Sequence, residues 1–156
     1  MKVKIVSFKD KYSHYFYELN YDWLNEYFFV EEYDEKVLKN CKKEIIDKGG
    51  FIFFAIYNLE IVGTMALIPR EEGVYELNKM AVRKDLRGKG IGHQLINFII
   101  HYAKENNYKS VILYSNTVLK NSIHLYNKFG FKKINSEENT PYKRSDIKME
   151  LILSNL

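Results

Sequence analysis

The chain has 156 residues, of which 46% are hydrophobic, and this is enough for one domain with a buried core. Its one cysteine excludes an internal disulfide and a cysteine-based metal cluster, and no apolar stretch reaches membrane-spanning length. Residues 1–75 hold 10 Lys and Arg against 13 Asp and Glu, whereas residues 76–156 hold 14 against 7, so the net charge of +4 comes from the second half. With no signal peptide, linker or repeat recognisable, we expect a single cytoplasmic domain over residues 1–156.

Apolar spacing predicts the elements of the first half. Aromatic side chains recur at helical spacing early in the chain, whereas the runs after Gly50 are rich in β-branched and aromatic residues. Asp34 is the predicted N-cap of the second helix. In chain order, the elements are a strand at 3–8, helices at 12–28 and 34–47, and strands at 51–57, 61–68 and 74–82.

Helices and strands alternate in the second half. An amphipathic stripe after Gly90 predicts a helix that ends near Asn106, and Gly130 is a favourable residue to end a later one. The elements are a helix at 90–106, a strand at 110–115, a helix at 117–129, and strands at 131–134 and 147–153. The order β-α-α-β-β-β-α-β-α-β-β predicts an α+β domain with a mixed sheet of about six or seven strands and about four helices.

The turn between the fourth strand and the third helix has three alternating glycines, Gly88, Gly90 and Gly92, with Arg87 and Lys89 beside them. Glycine accepts positive φ and brings no Cβ against a ligand. The first turn of a helix offers unpaired N–H groups and the positive end of the helix dipole. A strand, a basic glycine-rich turn and a helix start therefore predict a phosphate-binding cradle.

Two common phosphate-binding loops do not match this turn. A Walker A loop requires Gly-x-x-x-x-Gly-Lys-Ser/Thr, and the dinucleotide fingerprint requires a different glycine spacing early in a βαβ repeat. Nucleic-acid binding is compatible with the charge, but no basic helix or stacking motif supports it.

The run Arg87-Gly88-Lys89-Gly90-Ile91-Gly92 resembles the Arg/Gln-x-x-Gly-x-Gly/Ala signature of the GNAT superfamily of N-acetyltransferases. Residues 122–131, Ser-Ile-His-Leu-Tyr-Asn-Lys-Phe-Gly-Phe, are similar to the family's Ala-Ile-x-Leu-Tyr-x-Lys-x-Gly-Phe segment. The element order from Val3 to Leu153 also fits, so the resemblance covers nearly the whole chain. It implies a single GNAT-like domain in which the fourth and fifth strands splay apart around acetyl-coenzyme A.

The resemblance also implies which residues bind the coenzyme. Backbone N–H groups of the 87–92 turn would hold the pyrophosphate, with added charge from Arg87 and Lys89. Main-chain groups of Met80 and Val82 would pair with the pantetheine arm as an extra strand does. The coenzyme-binding residues expected on this basis are Met80, Val82, Arg87, Gly88, Lys89, Gly90, Ile91 and Gly92. Asn116 is a further candidate, as a nearby substitute for an asparagine that the family commonly has.

Two side chains are predicted to act on protons. Tyr126 matches a family tyrosine near the coenzyme sulfur, where a phenol can protonate or hydrogen-bond the departing thiolate; packing in the helix core is the alternative. The resemblance implies a general base near Glu76, because a protonated amine cannot attack a thioester; an exposed strand carboxylate is equally compatible. Strand alternation predicts one shared face for four residues: Glu76, Asn78, Met80 and Val82. N–H groups near Met80 are candidates to bind the oxyanion.

Leu119 marks a departure from the family pattern. The family commonly has Asn at this position, three residues before the small residue at Ser122, and Asn116 and Asn121 are nearby substitutes. Asn116 ends the fifth strand and can reach the splayed region, but it can also cap the helix that follows.

The acceptor is an amine that the sequence does not identify. In the family, the first two helices border its site, and residues 18–35 carry seven acidic residues and no Lys or Arg. This stretch suggests a cationic small molecule, with a solvated helix face as the alternative. The acidic residues are Glu18, Asp22, Glu26, Glu31, Glu32, Asp34 and Glu35. Residues 141–146 can also border the acceptor, although a surface loop is the simpler interpretation.

The predicted function is acetyl transfer from acetyl-coenzyme A to an amine by direct attack, and a non-catalytic acyl-coenzyme A sensor is the alternative. Glu76 and Tyr126 favour the enzyme, because a sensor needs neither. The four histidines show no metal-ligand spacing and Cys41 falls on an apolar helix face, so we expect no metal. The expected partners are acetyl-coenzyme A and an amine, with no nucleic acid and no membrane. Exposed strand edges are compatible with a homodimer.

Overall fold

A computed structural model describes residues 1–140 and 142–153, which form a seven-stranded mixed sheet with helices on both faces. The strands are β1 (Lys4–Ser7), β2 (Phe51–Tyr57), β3 (Glu60–Pro69), β4 (Val74–Val82), β5 (Ser110–Ser115), β6 (Lys132–Ile134) and β7 (Ile147–Ile152). The helices are α1 (Ser13–Tyr27), α2 (Glu32–Lys39), α3 (Ile91–Glu105) and α4 (Lys120–Lys128). Shorter helical turns lie at Asp10–Tyr12, Lys42–Ile46 and Lys84–Leu86. In the described residues, no helix has the length and apolar character needed to cross a membrane.

The sheet order is β1-β2-β3-β4-β5-β7-β6, and β4 and β5 are its parallel neighbours. Their pairing is short, because only residues 74–76 of β4 pair with residues 110–112 of β5. Beyond Glu76, β4 runs on to Val82 without β5 beside it. The two strands therefore separate in mid-sheet, and the predicted α+β fold with splayed fourth and fifth strands is confirmed.

Two apolar layers cover the sheet. One lies beneath α3 and contains its buried residues Leu95, Ile96 and Ile99. The other lies beneath α1 and α2 and contains Phe16, and also Cys41, which is buried as its position on an apolar face predicted. Each helix follows its apolar stripe onto one face of the sheet.

β4 contains a β-bulge opposite β3. Ala66 pairs with Asn78, but Thr64 pairs with Ala81, which leaves two residues of β4 opposite one residue of β3. Lys79, within the bulge, has a φ of 53°, in the left-handed region that side chains rarely adopt. The bulge places an extra residue at the point where β4 has just lost its neighbour β5.

The bulge also changes which residues share a face. Leu77 packs into the core beneath α3, so its strand neighbours Glu76 and Asn78 point to the opposite face. After the bulge, Met80 and Val82 pack against the same core as Leu77. The prediction that Glu76, Asn78, Met80 and Val82 share a face is therefore wrong, because it assumed an unbroken ladder.

The second predicted helix is shorter than expected and is capped differently. α2 begins at Glu32 with Glu31 as its N-cap, and Asp34 lies in its first turn rather than at the cap. Asp34 Oδ2 accepts the Glu31 N–H at 3.0 Å, as the reciprocal half of a capping box. The predicted helix over 34–47 is in fact α2 followed by a separate helical turn at Lys42–Ile46.

Candidate active site

A cleft of about 930 Å³ opens where β4 and β5 separate. Its walls come from α1, the second half of β4, the turn before α3, the end of β5, α4 and the loop before β7. The predicted site residues in its walls are Met80, Val82, Arg87, Gly88, Gly90, Ile91, Gly92, Asn116 and Tyr126. Glu76 and Lys89 lie outside this lining. Within residues 1–140 and 142–153, no cluster of His, Cys, Asp and Glu is arranged to hold a metal ion.

The glycine turn leaves open space beside its backbone. Gly88 and Gly90 have φ of 76° and 85°, and a Cβ built on either would meet no described atom within 4 Å. The first backbone hydrogen bond of α3 runs from the Gln94 N–H to Gly90 O at 3.1 Å, so the N–H groups of residues 91–93 precede the helix ladder. The turn therefore combines free N–H groups, positive φ and empty space, which is the arrangement that a phosphate requires.

The side chain of Arg87 fastens this turn to α1. Its Nε donates to Val82 O at 3.0 Å, and its guanidinium forms an ion pair with Glu26. The guanidinium also lies 5.6 Å from the centre of the Tyr27 ring. Arg87 is thus paired with an acidic residue of α1, whereas Lys89 is exposed beside the turn.

Tyr126 projects from α4 into the cleft wall and packs edge-on against Phe131, with 5.9 Å between ring centroids. Removal from water raises the pKa of Tyr126 to about 12. The phenol is therefore neutral at physiological pH and retains a proton that it can donate.

Glu76 is fully buried and accepts hydrogen bonds from three side chains. Its Oε1 accepts from Arg70 Nε at 2.8 Å, while its Oε2 accepts from Asn78 Nδ2 and from the Tyr142 hydroxyl, both at 3.1 Å. Asn78 and Tyr142 line the cleft, so Glu76 reaches the cleft through them. Burial, with the nearby charge of Glu76, raises the pKa of the Tyr142 hydroxyl well above its usual value.

The hydrogen bonds that the Asn78 amide nitrogen donates fix the orientation of its side chain. Its Nδ2 donates to Glu76 Oε2 and, at 2.9 Å, to the Tyr142 hydroxyl oxygen. Its Oδ1 is buried and has no hydrogen-bond partner among the described residues. An unpaired buried acceptor costs free energy, so the Asn78 amide is held in place at a cost in stability.

A second cluster of charges is centred on Asp34, which is fully buried. Its Oδ1 lies 2.6 Å from Lys79 Nζ, and its Oδ2 lies 2.7 Å from Arg144 Nη1, which also donates to Glu31 at 2.9 Å. Burial acts to raise the pKa of Asp34, but Arg144 and Lys79 outweigh it and hold that pKa below its usual value. Both cations flank the Tyr142 ring, at 5.0 Å for Lys79 and 4.9 Å for Arg144.

None of the seven acidic residues of 18–35 is among the residues that line the cleft. Arg87 pairs with Glu26, and Arg144 and Lys79 together pair with Glu31 and Asp34. The groups that line this end of the cleft are cationic, amide or aromatic: Asn20, Trp23, Tyr27, Phe28, Asn78, Lys79, Tyr142 and Arg144. The cationic acceptor expected from this acidic stretch stays a prediction.

Asn116 lies in the cleft wall, but both ends of its amide are engaged. Its Nδ2 donates to Arg144 O at 2.6 Å, and its Oδ1 accepts the Val118 N–H at 2.9 Å. Next to it, the N–H and hydroxyl of Thr117 bind Asp146, which explains why α4 begins at Lys120 rather than at 117. Asn116 therefore holds the end of β5 to the loop before β7.

That loop belongs to the site, although a surface loop was the simpler interpretation of residues 141–146. Tyr142, Arg144 and Ser145 line the cleft, while Pro141 lies outside the described residues. The available sequence signal was an aromatic residue and a basic pair close together before the last strand. Lys79 was also missed as a cleft residue, because the bulge that turns it has no local signature.

Comparisons with known proteins bear on the family and the fold of the chain. A family model described as the acetyltransferase (GNAT) family matches residues 7–131. N-acetylaspartate synthetase from Danio rerio is 35% identical over 92 residues, which cover 58% of this chain and 32% of that protein. The chain spans from about a third to just over half of the length of the curated relatives it matches.

Solved structures share the fold over almost the whole chain. An acetyltransferase of the GNAT family from Staphylococcus aureus Mu50 has a TM-score of 0.85 and 23% identity, covering 97% of this chain and 99% of that one. The PaiA N-acetyltransferase of Thermoplasma acidophilum, solved with coenzyme A, has a TM-score of 0.77 and 18% identity, with coverage of 97% and 99%. Because the family model matches most of its length, the chain belongs to the acetyltransferase (GNAT) family.

Proposed function

We propose that this chain is an N-acetyltransferase that moves the acetyl group of acetyl-coenzyme A to an amine by direct attack. The observation that carries the proposal is one continuous cleft, which joins the glycine turn, the unpaired half of β4 and Tyr126. Membership of the GNAT family supports it, as does the complex of the Thermoplasma acidophilum relative with coenzyme A.

The donor binds along the glycine turn and β4. The N–H groups of residues 88–92 and the start of α3 hold the pyrophosphate, since the space beside Gly88 and Gly90 is free of side chains. The main chain of Met80 and Val82 pairs with the pantetheine arm, because β5 has already left this part of β4. The bulge at Lys79 leaves backbone groups near Met80 outside the regular ladder, where an N–H can bind the oxyanion.

The amine proton leaves through Tyr142 to Glu76. As the amine nitrogen forms its bond to the acetyl carbon, the Tyr142 oxygen takes a proton from it and passes its own proton to Glu76 Oε2, at 3.1 Å. The bond from carbon to sulfur then breaks, and the Tyr126 phenol donates its proton to the thiolate. Proton exchange with water resets Glu76 and Tyr126, so the net reaction releases N-acetylated amine and free coenzyme A.

A turnover screen tests the proposal. The purified protein is incubated with acetyl-coenzyme A and a broad panel of amines, and free thiol is measured with a thiol-reactive dye. Thiol release that depends on an added amine supports the enzyme. Tight binding of acetyl-coenzyme A with no release for any amine contradicts it and favours the acyl-coenzyme A sensor.

A further inference from the structure

Three aromatic side chains at the end of α1 form one wall of the cleft. Trp23, Tyr27 and Phe28 all line it, with ring centroids 5.2 Å apart for Trp23 and Tyr27 and 5.9 Å apart for Trp23 and Phe28. Trp23 and Phe28 are partly exposed, and 45% of Tyr27 is exposed. This aromatic wall therefore offers accessible apolar surface to a molecule in the cleft.

The aromatic wall lies across the sheet from the elements that hold the coenzyme. Trp23 packs against the apolar layer beneath α1 and α2, to which Ala81 of β4 belongs. Tyr126 of α4 packs against the other layer, beneath α3. The gap between β4 and β5 joins these two faces of the sheet. The coenzyme, bound on the α3 side, presents its acetyl group to this gap, so the wall on the α1 side is left for the acceptor.

The charged groups beside the aromatic wall already have partners. Arg87 pairs with Glu26. Lys79 and Arg144 both pair with Asp34. In the part of the chain that the structure describes, no Asp or Glu lines the cleft. A second ammonium on the acceptor would thus lose water without gaining a carboxylate, and a carboxylate would compete with acids that already hold the cations.

We propose that the acceptor is an amine whose remaining part is uncharged and apolar, with an aromatic or long aliphatic group that packs against the aromatic wall. This inference rests on the proposed function, because it names the substrate class of the same cleft. The amine reacts at Tyr142, which lines that cleft. Packing of the apolar group removes its surface and that of the rings from water, which stabilises the complex without a charged partner.

Matched acceptors test the inference without any substitution. The wild-type protein is assayed with acetyl-coenzyme A and phenylpentylamine, hexylamine, cadaverine or ε-aminocaproate, which carry a phenyl, methyl, ammonium or carboxylate group at the far end of the same five-carbon chain. Rates are expressed per neutral amine, and the rate for cadaverine is halved because its two amines are equivalent. We expect kcat/KM for the two apolar compounds to exceed that for the two charged ones by about tenfold or more.

Substitutions in the aromatic wall locate the preference. Trp23→Ala should remove most of the advantage of the apolar compounds, chiefly by raising their KM, whereas Trp23→Leu should retain part of it because apolar area remains. Tyr27→Ala should act in the same direction at a more exposed position. Tyr21→Ala is the matched control, since Tyr21 is an exposed aromatic residue of the same helix outside the lining of the cleft. Thermal denaturation identifies any variant that has lost its fold, and calorimetry should find unchanged affinity of the Trp23 variants for acetyl-coenzyme A.

The outcomes separate this inference from the proposed function. If wild-type protein acetylates cadaverine or ε-aminocaproate as fast as hexylamine, or accepts other amines but neither apolar compound, the inference is overturned and acetyl transfer stays intact. Faster acetylation of cadaverine is the result that the acidic stretch of residues 18–35 predicts.

The variants can overturn the inference independently. A full apolar preference in folded Trp23→Ala and Tyr27→Ala would show that the aromatic wall does not bind the acceptor. Weaker binding of acetyl-coenzyme A to Trp23→Ala, with an unchanged KM for hexylamine, would assign the wall to the donor instead. If none of a broad range of amines releases coenzyme A, both the proposed function and the inference fail.

Discussion

Lys79 of β4 and Asp34 of α2 form an ion pair withdrawn from solvent, with 2.6 Å between Nζ and Oδ1 and 3% of the Lys79 side chain exposed. The bulge at Lys79 brings the ammonium to α2, and Arg144 joins the same carboxylate from the loop before β7. The pair and Arg144 therefore connect α2 to two walls of the cleft, β4 and the loop before β7.

Removing the carboxylate should destabilise the protein, because it leaves buried Lys79 without its partner. Asp34→Asn is expected to lower the free energy of unfolding by about 3 kcal/mol, measured by urea denaturation. Asp47→Asn, which breaks an exposed pair with Lys42, is the control and should lie within about 1 kcal/mol of wild type. A loss for Asp34→Asn no larger than that of the control would contradict a structural role for the pair.

Asp34 should contribute less to the stability of the protein in acid than at neutral pH. Although burial opposes it, Arg144 and Lys79 hold the folded-state pKa of Asp34 below the ordinary value of 3.8. Its contribution is therefore fully present above that value and is lost as pH falls through the lower folded-state pKa. The difference between wild type and Asp34→Asn should shrink only below about pH 4, in urea melts across an acid series. A difference that disappears near neutral pH would contradict this assignment.

Gly90→Glu should abolish binding of acetyl-coenzyme A. The φ of 85° is strained for any side chain, and a carboxylate placed beside the free N–H groups would occupy the space for a phosphate and repel it. Gly49→Glu is the matched control, because Gly49 has a φ of 91° and does not line the cleft. Calorimetry should find at least about a hundredfold weaker binding for Gly90→Glu alone. Equal affinities in the two variants would show that the turn does not hold the coenzyme.

Tyr126→Phe should lower kcat by about a hundredfold while leaving the affinity for acetyl-coenzyme A unchanged. Because burial raises the pKa of Tyr126 to about 12, the phenol stays protonated well into the alkaline range. The ratio of wild-type to variant kcat should thus be the same at about pH 7.5 and about pH 9.5. A ratio that falls towards one at the higher pH would indicate an ordinary phenol, and an unchanged kcat would remove Tyr126 as the acid.

Tyr142→Phe should also lower kcat, by about a hundredfold, because it removes the hydroxyl that joins the cleft to Glu76. KM for acetyl-coenzyme A should not change. Tyr17→Phe is a suitable control, since it removes a hydroxyl bonded to Glu35 outside the lining of the cleft. Steady-state kinetics with one acceptor measure both effects. If Tyr142→Phe retains full kcat while Glu76→Gln is folded and slow, protons reach Glu76 by another route.

The parts of the site that lie within one short run of residues could be predicted from the sequence. The glycine turn at 88–92 and Tyr126 lie within short runs whose spacing is visible in the chain, and the cleft brings them together. The bulge at Lys79 was not predictable, because it depends on how β4 pairs with β3. The contact of Arg144 with Asp34 was not predictable either, because the two residues lie 110 positions apart and Arg144 stands in a loop with no regular pattern.

The most direct test is detection of the acetylated product. Wild-type protein, Gly90→Glu and Tyr126→Phe are each incubated with acetyl-coenzyme A and an active acceptor, and the acceptor is examined by mass spectrometry. We predict that wild-type protein adds one acetyl group to the amine nitrogen, that Gly90→Glu adds none, and that Tyr126→Phe adds it far more slowly. An acceptor left unmodified by folded wild-type protein that binds acetyl-coenzyme A tightly, across a broad range of amines, would contradict acetyl transfer.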